Sequence, residues 1–497
     1  MQNHPLYSVL IKGLPFGIFL VLFGYLGAYQ SLPYPTGADW AQYMMGAQQI
    51  WWPSVDTSYP DWRAPLYLYL LGLLAHYGSY LQAGSWLAST GWLLMGGALY
   101  GMGLILRRPI LGLGLALALL CLPLSADGFH HLGPYPLIGG MCAVLWLAAL
   151  GVLKNPKYSS SWLMIFALCA GLASALDGRS LLIVAAAIPL VLKKWRVKEL
   201  GGALAVFGVA YLPHYLLIAY LKLSLLPMST KLLEQRRFVL RHLQGNNLHP
   251  DHPELEGLSA VCTGGSPMHT RFDWLFEDCS WAMATVNVKA WALSGLLFPL
   301  IWALGLLMAF RFWRFGAALV LLIALGLMVP MLLVWHPPRY AFPLMVPLLS
   351  SLPIAIALLA DKWPVPRVAV SFLALLPLIF MWPARLPSAT PMTWDFPPTR
   401  IPMAEQIQAA VGTHDFYMDC ARLDTGLLWA PKSRMPTTVQ TFLPLQKDCQ
   451  DYIQHAEGWL LLRESDPQLP APAEYGWVEE QRYTEQHRTV ILWRRRP

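Results

Sequence analysis

Apolar segments recur along this chain of 497 residues and predict an all-α polytopic membrane protein. A transmembrane helix needs roughly 20 residues, most of them apolar, and eleven segments are candidates once their ends are allowed to vary by a few residues. The candidates are 14–29, 81–106, 109–124, 137–153, 162–176, 181–192, 201–221, 288–310, 315–335, 341–359 and 368–382.

The connections between these segments alternate in charge, which predicts how the chain is oriented. Five short connections are basic; they carry Arg107 and Arg108, Lys154 and Lys157, Lys193 to Lys198, Arg311 and Arg314, and Lys362 and Arg367. Short cytoplasmic loops are rich in lysine and arginine, so this side is predicted to be cytoplasmic. An odd number of spans then places the C-terminal segment and the long loops 30–80 and 222–287 on the extracytoplasmic side. The apolar stretch 65–80 would break this alternation if it crossed, so we expect a helix in the outer interface.

Composition supports a membrane protein and predicts one further domain. The chain is 56% hydrophobic and 13% charged, with a mean hydropathy of +0.45, whereas soluble domains carry about 25% charged residues. The net charge of +7 is explained by the basic loops and does not indicate nucleic-acid binding. We expect a transmembrane domain over 1–383, a proline-rich linker over 384–402, and a small extracytoplasmic α/β domain over 403–497, with one helix and four strands.

Cysteines and glycosylation motifs bear on the compartment. Two cysteine pairs, Cys262 with Cys279 and Cys420 with Cys449, fall in predicted extracytoplasmic regions, where disulfides can form. Free thiols remain the alternative, because sequence does not show proximity. The absence of any Asn-x-Ser/Thr motif favours a bacterial envelope, and hence a bacterial inner membrane, over the endoplasmic reticulum.

Ionisable residues concentrate in the predicted outer loops. Carboxylates occur at Asp39, Asp61 and Asp177, and arginines at Arg63, Arg179 and Arg339. Charge beside hydrocarbon is costly and therefore indicates function. Arginine can bind a phosphate through two parallel hydrogen bonds, and a nearby carboxylate can accept a proton from a hydroxyl nucleophile. This combination fits a lipid phosphate that reacts at the membrane surface.

Three motifs carry a resemblance to a known group of enzymes. Asp39 is followed by Tyr43 and Ala47; Arg63-Ala64-Pro65-Leu66-Tyr67 comes next; and Arg339-Tyr340-Ala341-Phe342-Pro343, with Pro347, occurs late in the chain. Over roughly residues 10–385 this pattern resembles membrane glycosyltransferases of the GT-C fold, in particular the family 39-like branch with protein O-mannosyltransferases and lipid A aminoarabinose transferase. This chain departs from the pattern at two positions. Trp40 stands where an acidic residue is usual, and Ala64 stands where the first proline is usual.

The resemblance implies a reaction and a set of site residues. A hexose or pentose would move from a polyprenyl-phosphate donor to a hydroxyl of an extracytoplasmic lipid, glycan or protein, usually with inversion. Asp39 would be the general base, and the donor phosphate would be bound by Arg63, Arg179, Arg339 and Tyr340. Tyr43, Asp61, Asp177 and His336 would support the site. No metal ligands are predicted, and a requirement for a divalent cation stays open.

Alternative interpretations remain for each part of this prediction. Asp39 could cap the N-terminus of a juxtamembrane helix, and the two pairs Asp61 with Arg63 and Asp177 with Arg179 could be surface ion pairs. For the whole protein, the alternatives are a transporter or flippase of lipid-linked sugars and a non-catalytic scaffold of an envelope glycan assembly.

Overall fold

The structure is a computed structural model. It describes residues 17, 43, 46–47, 50–51, 65–77, 80–120, 133–192, 195–222, 278–293, 313–329, 342–360, 366–379, 406–407, 409–411, 416–418, 439–441, 453–455, 457–463, 471–485 and 488–495.

Helices dominate the described part of the chain. Residue 17 is helical, and so are Tyr43, Gly46, Ala47, Ile50 and Trp51, which together are called α1 below. The further helices are α2 (Pro65–Ala75), α3 (Tyr80–Ile105), α4 (Pro109–Leu120), α5 (Tyr135–Lys154), α6 (Ser159–Leu176), α7 (Ser180–Val191), α8 (Val197–Lys222), α9 (Asp278–Leu293), α10 (Trp313–Leu321), α11 (Phe342–Ala360) and α12 (Arg367–Ile379). A π-helical segment, Leu322–Met328, continues α10.

Nine predicted spans coincide with described helices, which begin within about one helical turn of the predicted start. They are α3 to α8 and α10 to α12. Within the described ranges, four helical stretches are long and apolar enough to cross a membrane by themselves: Tyr135–Lys154, Pro156–Leu176, Val197–Leu217 and Phe342–Ala360. Helix α2, with 11 residues, is about 16 Å long and therefore too short to cross about 30 Å of hydrocarbon.

Helix α9 differs from the prediction. It begins at Asp278, inside the predicted loop 222–287, whereas the pattern places the span at 288–310. Its buried positions, Ser280, Met283, Ala284 and Asn287, recur at the spacing of one helix face. Because two of these four residues are polar, hydropathy does not reveal this part of the helix.

Glycines allow the helices to approach closely. A Cβ added at Gly91 of α3 would lie 2.2 Å from the backbone of Pro136 in α5, and one added at Gly101 would lie 3.0 Å from Leu147. Contacts thus advance in the same direction along both helices, so α3 and α5 are parallel. In the α3–α4 hairpin, a Cβ at Gly103 would lie 2.5 Å from Gly112.

The helices have one basic end. Basic side chains gather there. Arg107 and Arg108 follow the C-terminus of α3, and Lys154 ends α5; Arg196 lies beside the N-terminus of α8, and Arg314 beside that of α10. We call this the basic end of the bundle. The opposite end, called the distal end below, contains the N-termini of α5, α7 and α11. This distribution of charge follows the alternation that the loops predict.

A five-stranded sheet forms the C-terminal part of the chain. Its strands are β1 (Phe416–Met418), β2 (Val439–Thr441), β3 (Gly458–Arg463), β4 (Val478–Glu485) and β5 (Arg488–Arg495), in the order β2-β1-β3-β5-β4. Strand β1 is parallel to β2 and β3, while β5 is antiparallel to β3 and β4. Strand β2 was not predicted, because three residues give too short a pattern to recognise.

The hydrophobic core beside this sheet contains aromatic side chains. Ile453, Leu460, Leu462 and Trp477 form a buried cluster, against which Trp493 packs. The indole N–H of Trp477 donates to the carbonyl of Ile453 at 2.8 Å, which satisfies the polar atom of a large buried side chain.

The chain divides into two compact units. The first consists of Met1–Ser31, Leu87–Phe129 and Pro134–Ala389; the second consists of Leu32–Trp86, His130–Gly133 and Thr390–Pro497. The first predicted outer loop therefore groups with the C-terminal segment.

Candidate active site

The structure describes three of the nine predicted site residues: Tyr43, Asp177 and Arg179. Asp39, Asp61, Arg63, His336, Arg339 and Tyr340 lie outside the described residues, as do the side chains of the four cysteines in the two predicted pairs. The site is therefore described through the elements that lead into these residues.

Helices α1 and α2 pack through a pair of buried tyrosines. Tyr43 is 4% exposed and Tyr67 is 1% exposed, and their rings meet edge to face with centroids 5.2 Å apart. Burial, and to a smaller extent the neighbouring Tyr43, raises the pKa of Tyr67 well above its ordinary value. This phenol is therefore protonated at neutral pH and can only act as a neutral hydrogen-bonding group.

Further contacts show that α1 and α2 run in the same direction. A Cβ at Gly46 would lie 2.8 Å from Leu68, and one at Gly72 would lie 2.1 Å from Cδ1 of Trp51. The indole N–H of Trp51 donates to the carbonyl of Tyr69 at 3.0 Å. Contacts advance from Tyr43 to Trp51 on α1 as they advance from Tyr67 to Gly72 on α2, so the two helices are parallel.

Asp39 and Arg63 each come shortly before one tyrosine of this pair in the sequence. Asp39 precedes Tyr43 by four residues, and Arg63 precedes Tyr67 by four. Four residues of chain reach at most about 14 Å, and Tyr43 contacts Tyr67. Both motif residues therefore lead into the tyrosine contact within a short length of chain.

Asp177 and Arg179 form an ion pair at the distal end of the bundle. The guanidinium of Arg179 donates from Nε to both carboxylate oxygens, at 3.1 and 3.0 Å, and from a terminal nitrogen to Oδ2. The side chain of Asp177 is 9% exposed, and that of Arg179 is 16% exposed. The pair is mostly buried, unlike the surface pair that the sequence left as an alternative.

The same carboxylate organises the turn between α6 and α7. The backbone N–H of Arg179 donates to Oδ1 of Asp177 at 2.9 Å, and the N–H of Ser180 donates to the carbonyl of Asp177 at 2.9 Å. Asp177 thus stabilises the start of α7 while it neutralises Arg179. Two guanidinium nitrogens of Arg179 are therefore already used inside the protein.

The late motif leads into the start of α11. Phe342 follows Arg339 by three residues and is 1% exposed, with its ring edge to face against Trp92 at 5.5 Å. A Cβ at Gly139 of α5 would lie 2.9 Å from the carbonyl oxygen of Phe342. The N-terminus of α11 is therefore held against α3 and α5, at the distal end where α7 also begins.

Sequence reasoning missed Trp51, Gly72 and the buried state of Tyr67. The signal for Tyr67 is its place in the Arg63 motif, four residues beyond the arginine. No signal identifies Gly72, because a chain with 38 glycines does not show which of them faces another helix. Among the residues that the structure describes, no group of three or more His, Cys, Asp or Glu side chains could bind a metal.

Comparison with solved structures identifies the fold. The chain is similar to ArnT from Cupriavidus metallidurans bound to undecaprenyl phosphate, with a TM-score of 0.55 and 13% identity over 96% of this chain and 97% of that one. Apo ArnT gives a TM-score of 0.45 and 12% identity, with 98% and 97% covered. The Archaeoglobus fulgidus oligosaccharyltransferase, with zinc and sulfate, gives 0.47 and 13%, with 85% and 62% covered.

Comparisons of sequence alone do not identify the fold of this chain. No protein-family model and no curated protein sequence matches the chain. The similarity to ArnT nevertheless extends over nearly the whole of both chains. This chain is a membrane protein with the GT-C fold of membrane glycosyltransferases.

Proposed function

We propose that this protein is a membrane glycosyltransferase that transfers a sugar from a polyprenyl-phosphate donor to a hydroxyl group of an extracytoplasmic acceptor. The observation that carries the proposal is the full-length similarity in fold to ArnT, whose structure contains undecaprenyl phosphate. The three motifs support it independently, because they are features of the sequence and do not depend on the similarity in fold. The donor sugar is a hexose or a pentose, and the acceptor is a lipid, a glycan or a protein.

The proposed reaction is a single displacement with inversion. The acceptor oxygen forms a bond to the anomeric carbon of the sugar, and the bond from that carbon to the phosphate oxygen breaks. The acceptor proton goes to the carboxylate of Asp39, and the lipid leaves as polyprenyl phosphate. General-base assistance of this kind typically contributes 10²- to 10⁴-fold to the rate.

Arg339 and Arg63 bind the donor phosphate in this mechanism, with Tyr340 beside Arg339. Negative charge grows on the phosphate as it leaves, and preorganised arginines stabilise it most where water is excluded. Asp61 and His336 support the loops that carry these arginines. Arg179 has a smaller part, since Asp177 already holds two of its guanidinium nitrogens.

The proposal includes a topology and a location. Eleven spans place the N-terminus in the cytoplasm and the active site outside, in the periplasm if the membrane is a bacterial inner membrane. The transmembrane domain covers 1–383, followed by the linker 384–402 and an α/β domain over 403–497. A site outside the cytoplasm is consistent with a lipid-linked donor, because nucleotide sugars are cytoplasmic.

Reconstitution tests the function directly. Purified full-length protein in lipid vesicles would be given a panel of radiolabelled polyprenyl-phosphate sugars together with envelope lipid, glycan and protein acceptors. A glycosyltransferase releases one polyprenyl phosphate for each labelled acceptor. Movement of intact donor across the bilayer without release of polyprenyl phosphate would instead identify a transporter, and neither process would indicate a scaffold.

A further inference from the structure

The turn between α3 and α4 holds an arginine in an unusual backbone conformation. Arg107 has a φ of 57° and is the one described residue other than glycine with a positive φ. Its N–H donates to the carbonyl of Leu104 at 2.9 Å, and the next N–H, of Arg108, donates to the carbonyl of Gly103 at 2.7 Å. This is the Schellman pattern of a helix end, in which glycine is the usual left-handed residue because it has no Cβ. An arginine that accepts this backbone cost indicates a use for its side chain.

The two arginines of the turn differ in exposure. Arg108 is 3% exposed, and its carbonyl accepts from the N–H of Gly112 at 3.2 Å, so it belongs to the packing of the α3–α4 hairpin. Arg107 is exposed. Of the two, Arg107 is therefore the one whose guanidinium can meet a ligand outside the bundle.

Helix α5 ends at the same level as this turn. Helices α3 and α5 are parallel, and Gly101 faces Leu147 where they touch. Arg107 lies six residues beyond Gly101, and Lys154 lies seven residues beyond Leu147. The ends of the two helices therefore differ in level by less than about one turn, which places the cations of Arg107 and Lys154 at one corner of the basic end.

Lys157 adds a third cation, and exposed aromatic rings mark the depth of this end. Lys157 follows α5 in a short 3₁₀ helix, with its Nζ 5.4 Å from the ring centroid of Tyr158, which is 57% exposed. Trp313, beside Arg314, is 63% exposed. Exposed tyrosine and tryptophan rings beside cations are typical of the headgroup layer of a membrane. The three cations Arg107, Lys154 and Lys157 are called the α3–α5 corner below.

The charge around this corner favours an anion. Glu199 is the one carboxylate that the structure describes in the α3–α4 turn, the α5–α6 turn and the first turn of α8. Its two oxygens accept from the hydroxyl of Ser160 and, at 2.9 Å, from the backbone N–H of Arg196. That carboxylate holds α6 against α8, so the charge offered to a ligand here is positive.

We propose that the α3–α5 corner is a binding site for the phosphate of an anionic phospholipid. Arg107 donates two parallel hydrogen bonds to the phosphate, an arrangement that arginine favours, and Lys154 and Lys157 add positive charge. Basic sites between transmembrane helices can hold anionic headgroups in this way. The occupant is a lipid because the neighbouring exposed rings lie where headgroups lie. The site goes beyond the proposed function and is independent of it, since none of its residues belongs to the distal end.

Lipid binding to the purified protein tests the site. Full-length protein in a neutral detergent would be titrated with dioleoylphosphatidylglycerol, and the bound lipid counted by native mass spectrometry. Arg107→Asn removes the cation, and asparagine tolerates the left-handed conformation, so the apparent affinity should fall about fivefold, the effect of one cation near an anionic surface. Lys157→Gln should give a similar loss, and it serves as the test if Arg107→Asn does not fold.

A matched control removes a cation elsewhere at the same end. Arg314→Gln takes one positive charge from α10, whose listed neighbours in the bundle do not include α3, and the affinity for the lipid should change little. Equal losses in Arg107→Asn and Arg314→Gln would indicate attraction by diffuse charge and would overturn the site. Unchanged affinity in both Arg107→Asn and Lys157→Gln would overturn it as well.

Thermal stability provides a second readout that a merely structural arginine would not reproduce. Arg107→Gly relieves the backbone cost, so without added lipid its Tm should exceed that of the wild type by about 1–2 °C. Added phosphatidylglycerol should then raise the Tm of the wild type more than that of Arg107→Gly. Equal gains in the two proteins would contradict the assignment of Arg107 to the headgroup.

Two further additions identify the ligand. Phosphatidylcholine, which has no net charge, and free glycerol phosphate, which has no acyl chains, should each stabilise the wild type less than phosphatidylglycerol does. Equal stabilisation by phosphatidylcholine would overturn recognition of the anionic charge, and equal stabilisation by glycerol phosphate would assign the corner to a free anion instead of a lipid. None of these measurements uses sugar transfer, so the site and the proposed function can fail separately.

Discussion

At the scale of single residues, Asp177 and Arg179 connect the end of α6 to the start of α7. Their ion pair is mostly buried, and the carboxylate also accepts from the backbone that begins α7. A buried pair tolerates the loss of one partner poorly, because the remaining charge stays in a medium that solvates it badly. Function and stability can therefore be separated by mutation at this pair.

Asp177→Asn should destabilise the protein, since it leaves the Arg179 guanidinium without its counter-charge. Loss of one partner of a buried pair costs about 3–5 kcal/mol, so we expect a clear fall in Tm of the purified protein in detergent. The double variant Asp177→Asn/Arg179→Gln should recover part of that loss. An unchanged Tm together with a raised donor KM would instead assign Arg179 to phosphate binding.

Arg339→Lys should weaken donor binding more than a conservative exchange normally does. Lysine keeps the charge but cannot form two parallel hydrogen bonds to a phosphate, and a hydrogen bond to a charged group is worth about 1.5–3 kcal/mol. Donor KM should rise roughly 10- to 100-fold. Arg482→Lys is the control, because Arg482 pairs with Glu479 on an exposed strand, where such pairs contribute little. Equal KM values for both variants would remove Arg339 from phosphate binding.

At the scale of elements, helix positions were predictable and helix contacts were not. Apolar length and the basic loops between segments predict the starts of nine helices to within about a turn, because both are local properties of sequence. Helix α9 was missed in part because its buried face includes Ser280 and Asn287. The close approach at Gly91 and the fit of Trp51 to Gly72 depend on partners distant in sequence, which no local pattern encodes.

Two glycines of α3 provide a matched test of its packing. A Cβ at Gly91 would lie 2.2 Å from backbone atoms of Pro136, whereas one at Gly97 meets nothing within 4 Å. Backbone cannot rotate away as a side chain can, so Gly91→Ala should lower stability by about 1–3 kcal/mol. Gly97→Ala should be neutral or slightly stabilising, because alanine favours helix. Thermal unfolding of both variants checks this, and equal Tm values would contradict the α3–α5 contact.

At the scale of the whole molecule, the fold was recognisable from three short motifs. The division of the chain into two compact units was not recognisable from the sequence. Two of the three motifs run into helix starts that the structure describes, those of α2 and α11. The second compact unit joins Leu32–Trp86 with Thr390–Pro497, segments separated by some 300 residues of sequence. Composition predicts a separate C-terminal domain but carries no information about such long-range association.

The proposed topology makes a prediction for reporter fusions. With eleven spans, alkaline phosphatase fused after Pro497 should be active, since that enzyme folds only outside the cytoplasm, whereas a fusion after Pro156, at the basic end, should be inactive. A green fluorescent protein fused at the same two positions should show the reverse pattern. Equal behaviour of both fusions would require an even number of spans between the two sites and would contradict the assignment.

The most direct test of the central claim compares sugar transfer by the wild type with transfer by Asp39→Asn at matched protein levels. Asp56→Asn serves as the control, since it removes a carboxylate from the same loop and has no assigned part in the site. If Asp39 is the base, asparagine keeps the shape but cannot accept the proton, so transfer should fall 10²- to 10⁴-fold while polyprenyl-phosphate sugar still binds. Transfer at the wild-type rate by Asp39→Asn would contradict the proposed mechanism.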